Sequence, residues 1–192
     1  MKAILGEARF YFAQCVFNCS CQYEAYGRYE KERNNRHNIA LGISGVSIVC
    51  LCLTVVCWES GWQIFLRILS LLGTFLTAAS MIFELYNKED LTEIMCYHKQ
   101  AAEDYKQLRD SFMDIIRQIK SNIDDGIVES RLQLCLHDYG ILGKYSLPTN
   151  GDDYVNAQKS LGLSGQGESF TWSSEEIDKF LPVELRENSS VE

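Results

Sequence analysis

Hydrophobic positions are concentrated in two uninterrupted runs in the first half of the chain. Residues 39–58 contain no charged side chain, and residues 62–83 contain one, Arg67. A helix of about 20 residues is about 30 Å long, which matches the hydrocarbon core of a bilayer. The pattern therefore predicts transmembrane helices at residues 39–58 and 62–85. Arg67 lies near the start of its run, where a long side chain can reach the membrane interface.

The connection between the two runs is very short. Only residues 59–61 separate them, so the two helices are predicted to run antiparallel as a hairpin. Trp58 and Trp62 flank this turn, as aromatic residues do at a membrane surface. The alternative is a soluble helical hairpin inside a larger core. A chain of 192 residues is too short to bury two such uniformly apolar helices, so we favour the membrane.

Basic residues indicate the orientation in the membrane. The connector has none, and six lie just outside the two runs: Arg28, Lys31, Arg33, Arg36, Lys88 and Lys99. Positively charged residues accumulate on the cytoplasmic side of membrane proteins. We therefore expect a multi-pass protein of the inner (plasma) membrane with both termini in the cytoplasm.

The segments on either side of the apolar runs have the apolar spacing of amphipathic helices. An N-terminal helix is predicted over residues 3–36, and a longer cytoplasmic helix over residues 88–123. The longer helix has a seam in steps of three and four, as in a coiled coil: Ile94, His98, Ala101, Tyr105, Leu108, Phe112, Ile115 and Ile119. We expect this seam to pack against the N-terminal helix or against other copies in a homo-oligomer.

The remainder of the chain is predicted to be less regular. Gly126 is expected to break the long helix, and a further helix is predicted over residues 127–139. Residues 140–192 are rich in Gly, Ser, Asn and Asp, which favours a flexible acidic tail. One short helix is predicted within it, because Ser173 and Glu176 have the spacing of a capping box. The predicted fold is an all-α membrane protein: a two-helix transmembrane hairpin with cytoplasmic amphipathic, coiled-coil-like helices.

Charge and cysteine content limit the function classes. The net charge is −8, most of it in the second half, and no compact basic patch occurs, so direct nucleic-acid binding is not expected. The eight cysteines show no metal-binding spacing. A disulfide framework is typical of small secreted proteins, and nothing in the chain indicates secretion. We interpret them as small apolar residues in a reducing cytoplasm.

Small and polar residues form stripes on both predicted spans. The first span contributes Ser44, Ser47 and Thr54, and the second contributes Ser70, Gly73, Thr77, Ser80 and Glu84. Two interpretations remain open. The stripes pack the helices together, since small residues allow close approach. Alternatively they line a pore, with Glu84 as a ring of carboxylates at the cytoplasmic mouth.

No residue set indicates catalysis. The three histidines are dispersed, and no catalytic signature occurs, so an enzyme is not expected, nor a cofactor or bound metal. His98 lies on the seam, where its protonation would loosen the packing in a switch. The alternative is a seam histidine with an ordinary hydrogen-bond partner.

Two stretches beside the spans resemble a known family. Before the first span, the chain reads Tyr-Gly-Arg-Tyr-Glu-Lys from Tyr26 and Arg-His-Asn-Ile from Arg36. After the second, it reads His-Lys-Gln-Ala-Ala-Glu-Asp-Tyr-Lys-Gln-Leu-Arg from His98. In combination and order these resemble the SLATT family, two-transmembrane effector domains associated with SMODS and SLOG proteins. The resemblance runs from about Ala8 to Ile119, nothing after Ile127 belongs to it, and the SLATT-like domain is placed at residues 1–139.

The resemblance implies a membrane effector in bacterial antiviral defence. Such proteins are thought to assemble into a pore, or otherwise damage the membrane, and to kill or arrest the infected cell by abortive infection. It also implies a sensor partner encoded nearby, such as a nucleotide second-messenger synthase or a reverse transcriptase. Two alternatives stay open: a non-pore membrane anchor or scaffold that recruits a soluble partner, and a small regulated ion channel.

Overall fold

The computed structural model describes residues 2–56, 63–163 and 172–187, apart from the side chains of residues 84 and 86–90. Regular structure within these ranges is entirely helical, and its elements are α1 (Lys2–Val56), α2 (Gln63–Lys120), α3 (Asp125–Tyr145), α4 (Gly151–Ser160), α5 (Ser174–Phe180) and a 3₁₀ turn (Val183–Leu185). The chain divides into two compact units. The core unit comprises Met1–Gly27 with Cys96–Glu192, and the apolar unit comprises Arg28–Met95. The predicted connector, with Trp58 and Trp62, lies outside the described residues.

Four of the predicted helices form only two continuous helices in the structure. The helices expected at 3–36 and 39–58 are both part of α1, and those expected at 62–85 and 88–123 are both part of α2. Neither junction contains a proline or a glycine, so nothing in the backbone ends the helix there. The polar junction residues had suggested boundaries that the backbone does not have.

The break after α2 comes before Gly126 rather than at it. α2 ends at Lys120, and Asn122 has a φ of 54°, in the left-handed region that asparagine tolerates better than most residues. The Asp124 carboxylate then accepts hydrogen bonds from the backbone N–H groups of Gly126 (2.9 Å) and Ile127 (3.3 Å). Asp124 is therefore the N-cap of α3, and Gly126 lies within its first turn.

The core unit is organised around one apolar cluster to which α1, α2, α3 and α5 all contribute. Its largest fully buried apolar side chains are Phe12, Phe112, Ile115, Ile116, Val128, Leu132 and Leu181. Burial of each such side chain contributes roughly 1.5–3 kcal/mol to stability. The inner face of α3 extends this contact past Gly140, because Tyr139 and Leu142 also pack on the cluster. α3 therefore continues to Tyr145 instead of ending at residue 139.

A second, smaller cluster covers another side of α1. Phe17 and Cys21 of α1 pack with Ala157 of α4, and the rings of Phe17 and Tyr154 meet edge to face at 4.7 Å between centroids. The N-terminal part of α1 is thus buried on more than the one face that its apolar seam predicted. The residues that bury this additional face come from the region expected to be a tail.

The described parts of residues 140–192 differ from the flexible acidic tail that their composition suggested. Asn150 and Asp153 form a capping box at the start of α4, and both belong to the polar residue types that had indicated disorder. In this structure they end a loop and begin a helix, which is the other common use of such residues. The predicted capping box of Ser173 and Glu176 is confirmed at the start of α5.

A buried ion pair joins α5 to α1. The Arg9 guanidinium donates to the Asp178 carboxylate at 2.8 Å, and the two side chains are only 4% and 11% exposed. Asp178 also accepts hydrogen bonds from the backbone N–H of Glu187, at 3.2 Å to each oxygen. The contact spans almost the whole sequence, so the two ends of the described chain meet in the core unit.

Candidate functional site

The apolar unit exposes most of its hydrophobic side chains. Two segments, one in α1 and Gln63–Phe83 in α2, are long and apolar enough to cross a membrane, and only 17% of each apolar window is buried. Val56 is 80% exposed, Ile64 78% and Phe75 71%. Soluble proteins rarely display an apolar surface of this size, because water does not solvate it favourably. The surface is suited to a lipid environment.

Two serines connect the apolar segments of α1 and α2. The hydroxyl oxygens of Ser44 and Ser80 are 2.9 Å apart, and the Ser80 hydroxyl also donates to the backbone carbonyl of Ala40 at 3.0 Å. Ser80 is almost fully buried. In a water-free environment such hydrogen bonds help to hold helices together, since the hydroxyls have few other partners.

Gly73 lies at a close approach of the two helices. A Cβ atom at this position would lie 3.2 Å from Cγ of Leu51 and 3.3 Å from the backbone carbonyl oxygen of Ser47. Both neighbours belong to α1, and Ser47 itself is fully buried. The absence of a side chain at residue 73 therefore allows the backbones to approach, as small residues do in membrane helix pairs.

Three other hydroxyls of the two predicted stripes donate to backbone carbonyls of their own helix. Ser47 donates to the carbonyl of Ile43 (2.9 Å), Thr54 to that of Leu51 (2.6 Å) and Thr77 to that of Gly73 (2.9 Å). Ser70 is half-buried, and the side chain of Glu84 lies outside the described residues. Within one chain the structure thus brings Ser44, Ser47, Gly73 and Ser80 together where the helices pack.

The predicted seam of the long helix is buried inside the same chain. Six of its eight residues are at most 5% exposed: His98, Ala101, Tyr105, Phe112, Ile115 and Ile119. Leu108 is half-buried, as is Ile94, which belongs to the apolar unit. Their partners in the core unit come from α1, α3 and α5, so the seam closes the core of a single protomer.

His98 has a defined polar partner. Its Nδ1 lies 2.6 Å from Oε1 of Gln22, and the Gln22 amide donates through Nε2 to the carbonyl of Leu147 at 3.1 Å. His98 is 1% exposed and Gln22 5%. This chain of contacts links α2, α1 and the loop after α3, and it provides the ordinary partner that one of the two interpretations of His98 required.

Burial favours the protonated form of several cysteine and tyrosine side chains in the core unit. Burial raises the pKa of Cys21 to about 12 and raises the pKa of Cys15 and Cys19. Burial also raises the pKa of Tyr139 to about 12, although Asn18 donates to its hydroxyl at 3.0 Å. A thiol with such a pKa is a poor nucleophile at neutral pH. The arrangement is suited to packing rather than to covalent chemistry.

The described ranges 2–56, 63–163 and 172–187 contain no metal-binding geometry. No group of three or more His, Cys, Asp or Glu side chains that could hold a metal ion occurs there. Asp124 and Asp125 stand together at the start of α3, where Asp124 caps the helix.

Sequence reasoning did not find the ion pair of Arg9 and Asp178. Arg9 follows the buried Ala8 in α1, and an arginine beside an apolar seam is usually solvent-exposed. Its burial depends on α5, which lies 165 residues or more away in the sequence. Only the three-dimensional structure, in which Arg9 is 3% exposed, reveals that this charge needs a partner.

The model of one known protein family matches most of the chain. A family model described as SMODS and SLOG-associating 2TM effector domain family 4 matches residues 4–176. The suspected resemblance is confirmed, and its predicted extent, residues 8–119, was too short because α3, α4 and the start of α5 are included. No curated protein and no solved structure matches the chain.

Proposed function

Because the chain belongs to the SMODS and SLOG-associating 2TM effector domain family 4, we propose that it is a membrane effector of a bacterial antiviral system. In this proposal the protein oligomerises and forms a pore, or otherwise disrupts the membrane, when a partner or a nucleotide signal triggers it. The outcome is abortive infection, in which the infected cell stops growing or dies before the virus multiplies.

The observation that carries this proposal is the outward-facing apolar surface of the helix pair. Both segments are long enough to span a bilayer, and their exposed side chains are almost all aliphatic or aromatic. Along the pair, the residue numbers rise in α1 as they fall in α2. Ser44 contacts Ser80, whereas Ser47 and Leu51 approach Gly73. We propose that the pair is a transmembrane hairpin in the inner membrane, with the core unit and both termini in the cytoplasm.

The proposed resting state is a packed helix pair. The hydroxyl and glycine stripes are occupied by contacts within one chain, so a water-filled path would require these residues to change partners. On activation, the stripes would turn from the neighbouring helix of the same chain to helices of other protomers. Glu84 would then stand as a ring of carboxylates that favours cations.

The trigger is proposed to act through the core unit. A nucleotide second-messenger synthase or a reverse transcriptase encoded nearby would supply the signal. A rearrangement of the core unit changes the packing of α1 and α2, because both helices contribute residues to both units. A ligand or partner can drive this change only to the extent that it binds the activated arrangement more tightly than the resting one.

The alternative function, a membrane anchor or scaffold, also requires a well-packed helix pair. The two functions differ in what happens to the membrane potential. Cells carrying the chain with its neighbouring genes are stained with a potential-sensitive dye and then infected with phage. An effector collapses the potential after infection, whereas an anchor leaves it intact.

Matched controls make the dye experiment specific. Leu71→Arg places a charge in the middle of the second span, on a side chain that is 73% exposed, and is expected to prevent insertion and protect the potential. Val155→Arg changes an exposed aliphatic residue in the core unit and is expected to leave depolarisation unchanged. Sustained polarisation after infection, with the native protein present in the membrane, would overturn the effector proposal.

A further inference from the structure

The outer face of α3 carries an apolar stripe with no partner in the described structure. Ile127, Leu134 and Ile141 follow one another at intervals of seven residues, and they are 57%, 66% and 44% exposed. Ile123 and Tyr145, at either end, are exposed as well. We call Ile127, Leu134 and Ile141 the outer stripe. It lies away from the inner face of α3, where Val128 and Leu132 are buried in the core.

A spacing of seven residues is the period at which one helix packs along another. An exposed aliphatic residue that stands alone needs no explanation, but three at this interval form a continuous seam about 20 Å long, given a rise of about 1.5 Å per residue. The inner face of α3 already holds the helix in the fold. The outer stripe is therefore not required to attach α3 to its own chain.

The outer stripe is symmetric about its centre. Ile127 lies seven residues before Leu134, and Ile141 lies seven residues after it. In an antiparallel pair of identical helices related by a two-fold axis at Leu134, each Ile127 meets the Ile141 of the other copy. The same operation brings Ile123 towards Tyr145. A self-complementary patch of this kind is what a two-fold contact between identical subunits needs.

The charges at the two ends of α3 favour the antiparallel arrangement. Asp124 and Asp125 stand at its N-terminus, and Lys144 lies in its last turn. Antiparallel pairing brings the acidic end of one helix near the basic end of the other and opposes the two helix dipoles. Parallel pairing would place acidic end beside acidic end.

We propose that the outer stripe binds the outer stripe of a second copy, so that the protein is paired through α3 in its resting state. The contact is small beside the roughly 1,600 Å² of a standard interface, and the proposal therefore rests on the proposed membrane attachment, which concentrates the copies. Because a two-fold contact closes after two copies, it yields a dimer and leaves further assembly to other surfaces.

Disulfide cross-linking in native membranes tests this geometry. The background chain carries Cys50→Ala, Cys52→Ala, Cys57→Ala, Cys96→Ala and Cys135→Ala, whereas Cys15, Cys19 and Cys21 remain, since they are buried and burial raises the pKa of each thiol. Copper phenanthroline serves as the oxidant. Leu134→Cys is expected to form a covalent dimer by itself. Val155→Cys, an exposed position on α4, is expected to form none.

Two further variants distinguish antiparallel from parallel pairing. In the antiparallel dimer, the two copies of residue 127 are separated by fourteen residues, or about 21 Å along the helix, so Ile127→Cys alone is expected not to cross-link. Co-expressed Ile127→Cys and Ile141→Cys chains, distinguished by tags of different size, are expected to form a mixed dimer. Cross-linking of Ile127→Cys with itself, or no cross-linking of Leu134→Cys, would overturn the proposal.

A substitution in the stripe provides a second measurement. Leu134→Asp is expected to lower the yield of the mixed dimer about tenfold, because a charge replaces the central aliphatic contact. Val155→Asp is the matched control and is expected to leave the yield unchanged. An undiminished yield with Leu134→Asp would contradict the proposal. The cross-linking uses no infection and no dye, so its failure leaves the effector proposal to be judged by depolarisation alone.

Discussion

At the scale of single residues, one glycine and two serines determine how the apolar helices of α1 and α2 meet. Gly73 leaves room for the backbone of Ser47, and Ser44 and Ser80 contact each other about two helical turns away. Gly45, in the same apolar unit, has no atom within 4 Å of the place where a Cβ would lie. The two glycines therefore provide a direct comparison.

Replacing Gly73 with leucine is expected to separate the two helices. The new side chain would collide with Leu51 and with the backbone of Ser47. The measurement is disulfide formation between cysteines introduced at Ser44 and Ser80, whose oxygens are 2.9 Å apart. Gly73→Leu should reduce the intramolecular disulfide strongly, and Gly45→Leu should leave it unchanged. Equal yields in both variants would show that Gly73 is not a point of close contact.

Alkaline pH is expected to destabilise the core unit through its buried acids. Burial raises the pKa of Tyr139 from 10.0 to about 12 and that of Cys21 from 9.0 to about 12. The folded state therefore holds these protons more tightly than the unfolded state. Their contribution to stability is complete below pH 9.0 and is lost as the pH rises towards about 12.

Thermal unfolding in detergent, followed by circular dichroism, measures this effect. The Tm of the native protein should fall progressively above pH 9.0. Tyr139→Phe should weaken the dependence on pH, because the buried hydroxyl is gone. Tyr145→Phe, at the exposed end of the same helix, should leave the dependence as it is in the native protein. An identical dependence for both variants would contradict the assignment to Tyr139.

At the scale of elements, the sequence predicted helices well and their contacts only in part. The spacing of three and four residues along the seam identified Phe112, Ile115 and Ile119, which are buried in the core. The same reasoning missed α4, because Asn150 and Asp153 are as common in disordered segments as in capping boxes. Local composition does not reveal whether a polar segment has an apolar surface to cover. Here that surface is a second side of α1.

Asp178 is expected to hold α5 on α1. Asp178→Asn removes the charge of the carboxylate closest to a buried guanidinium, which keeps only the more distant Glu187, at 3.6 Å, as an ionic partner. Breaking a buried ion pair costs about 3 kcal/mol. Hydrogen exchange should therefore be faster in α5 and in the contacting turn of α1. Lys179→Ala, on the exposed side of the same short helix, is the control and should have little effect. Unchanged protection of α5 in Asp178→Asn would show that the apolar contacts of Leu181 and Ile177 suffice.

At the scale of the whole molecule, the clearest sequence signal was the pair of apolar runs. It predicted the two candidate spans directly, because length and composition suffice for that inference. The stripes of small residues were found by their spacing, but the sequence left both packing and pore lining open. Contacts such as that of Ser80 with Ala40 depend on the relative rotation of two helices, which periodicity alone does not define.

The central claim is that the apolar helix pair crosses the inner membrane and leaves both termini in the cytoplasm. The most direct measurement is protease digestion of spheroplasts that express the chain with an epitope tag at each end. We expect both tags to survive in intact spheroplasts and to be digested after lysis, with the protein in the membrane fraction. Digestion of either tag in intact spheroplasts, or recovery of the native chain in the soluble fraction, would contradict the claim.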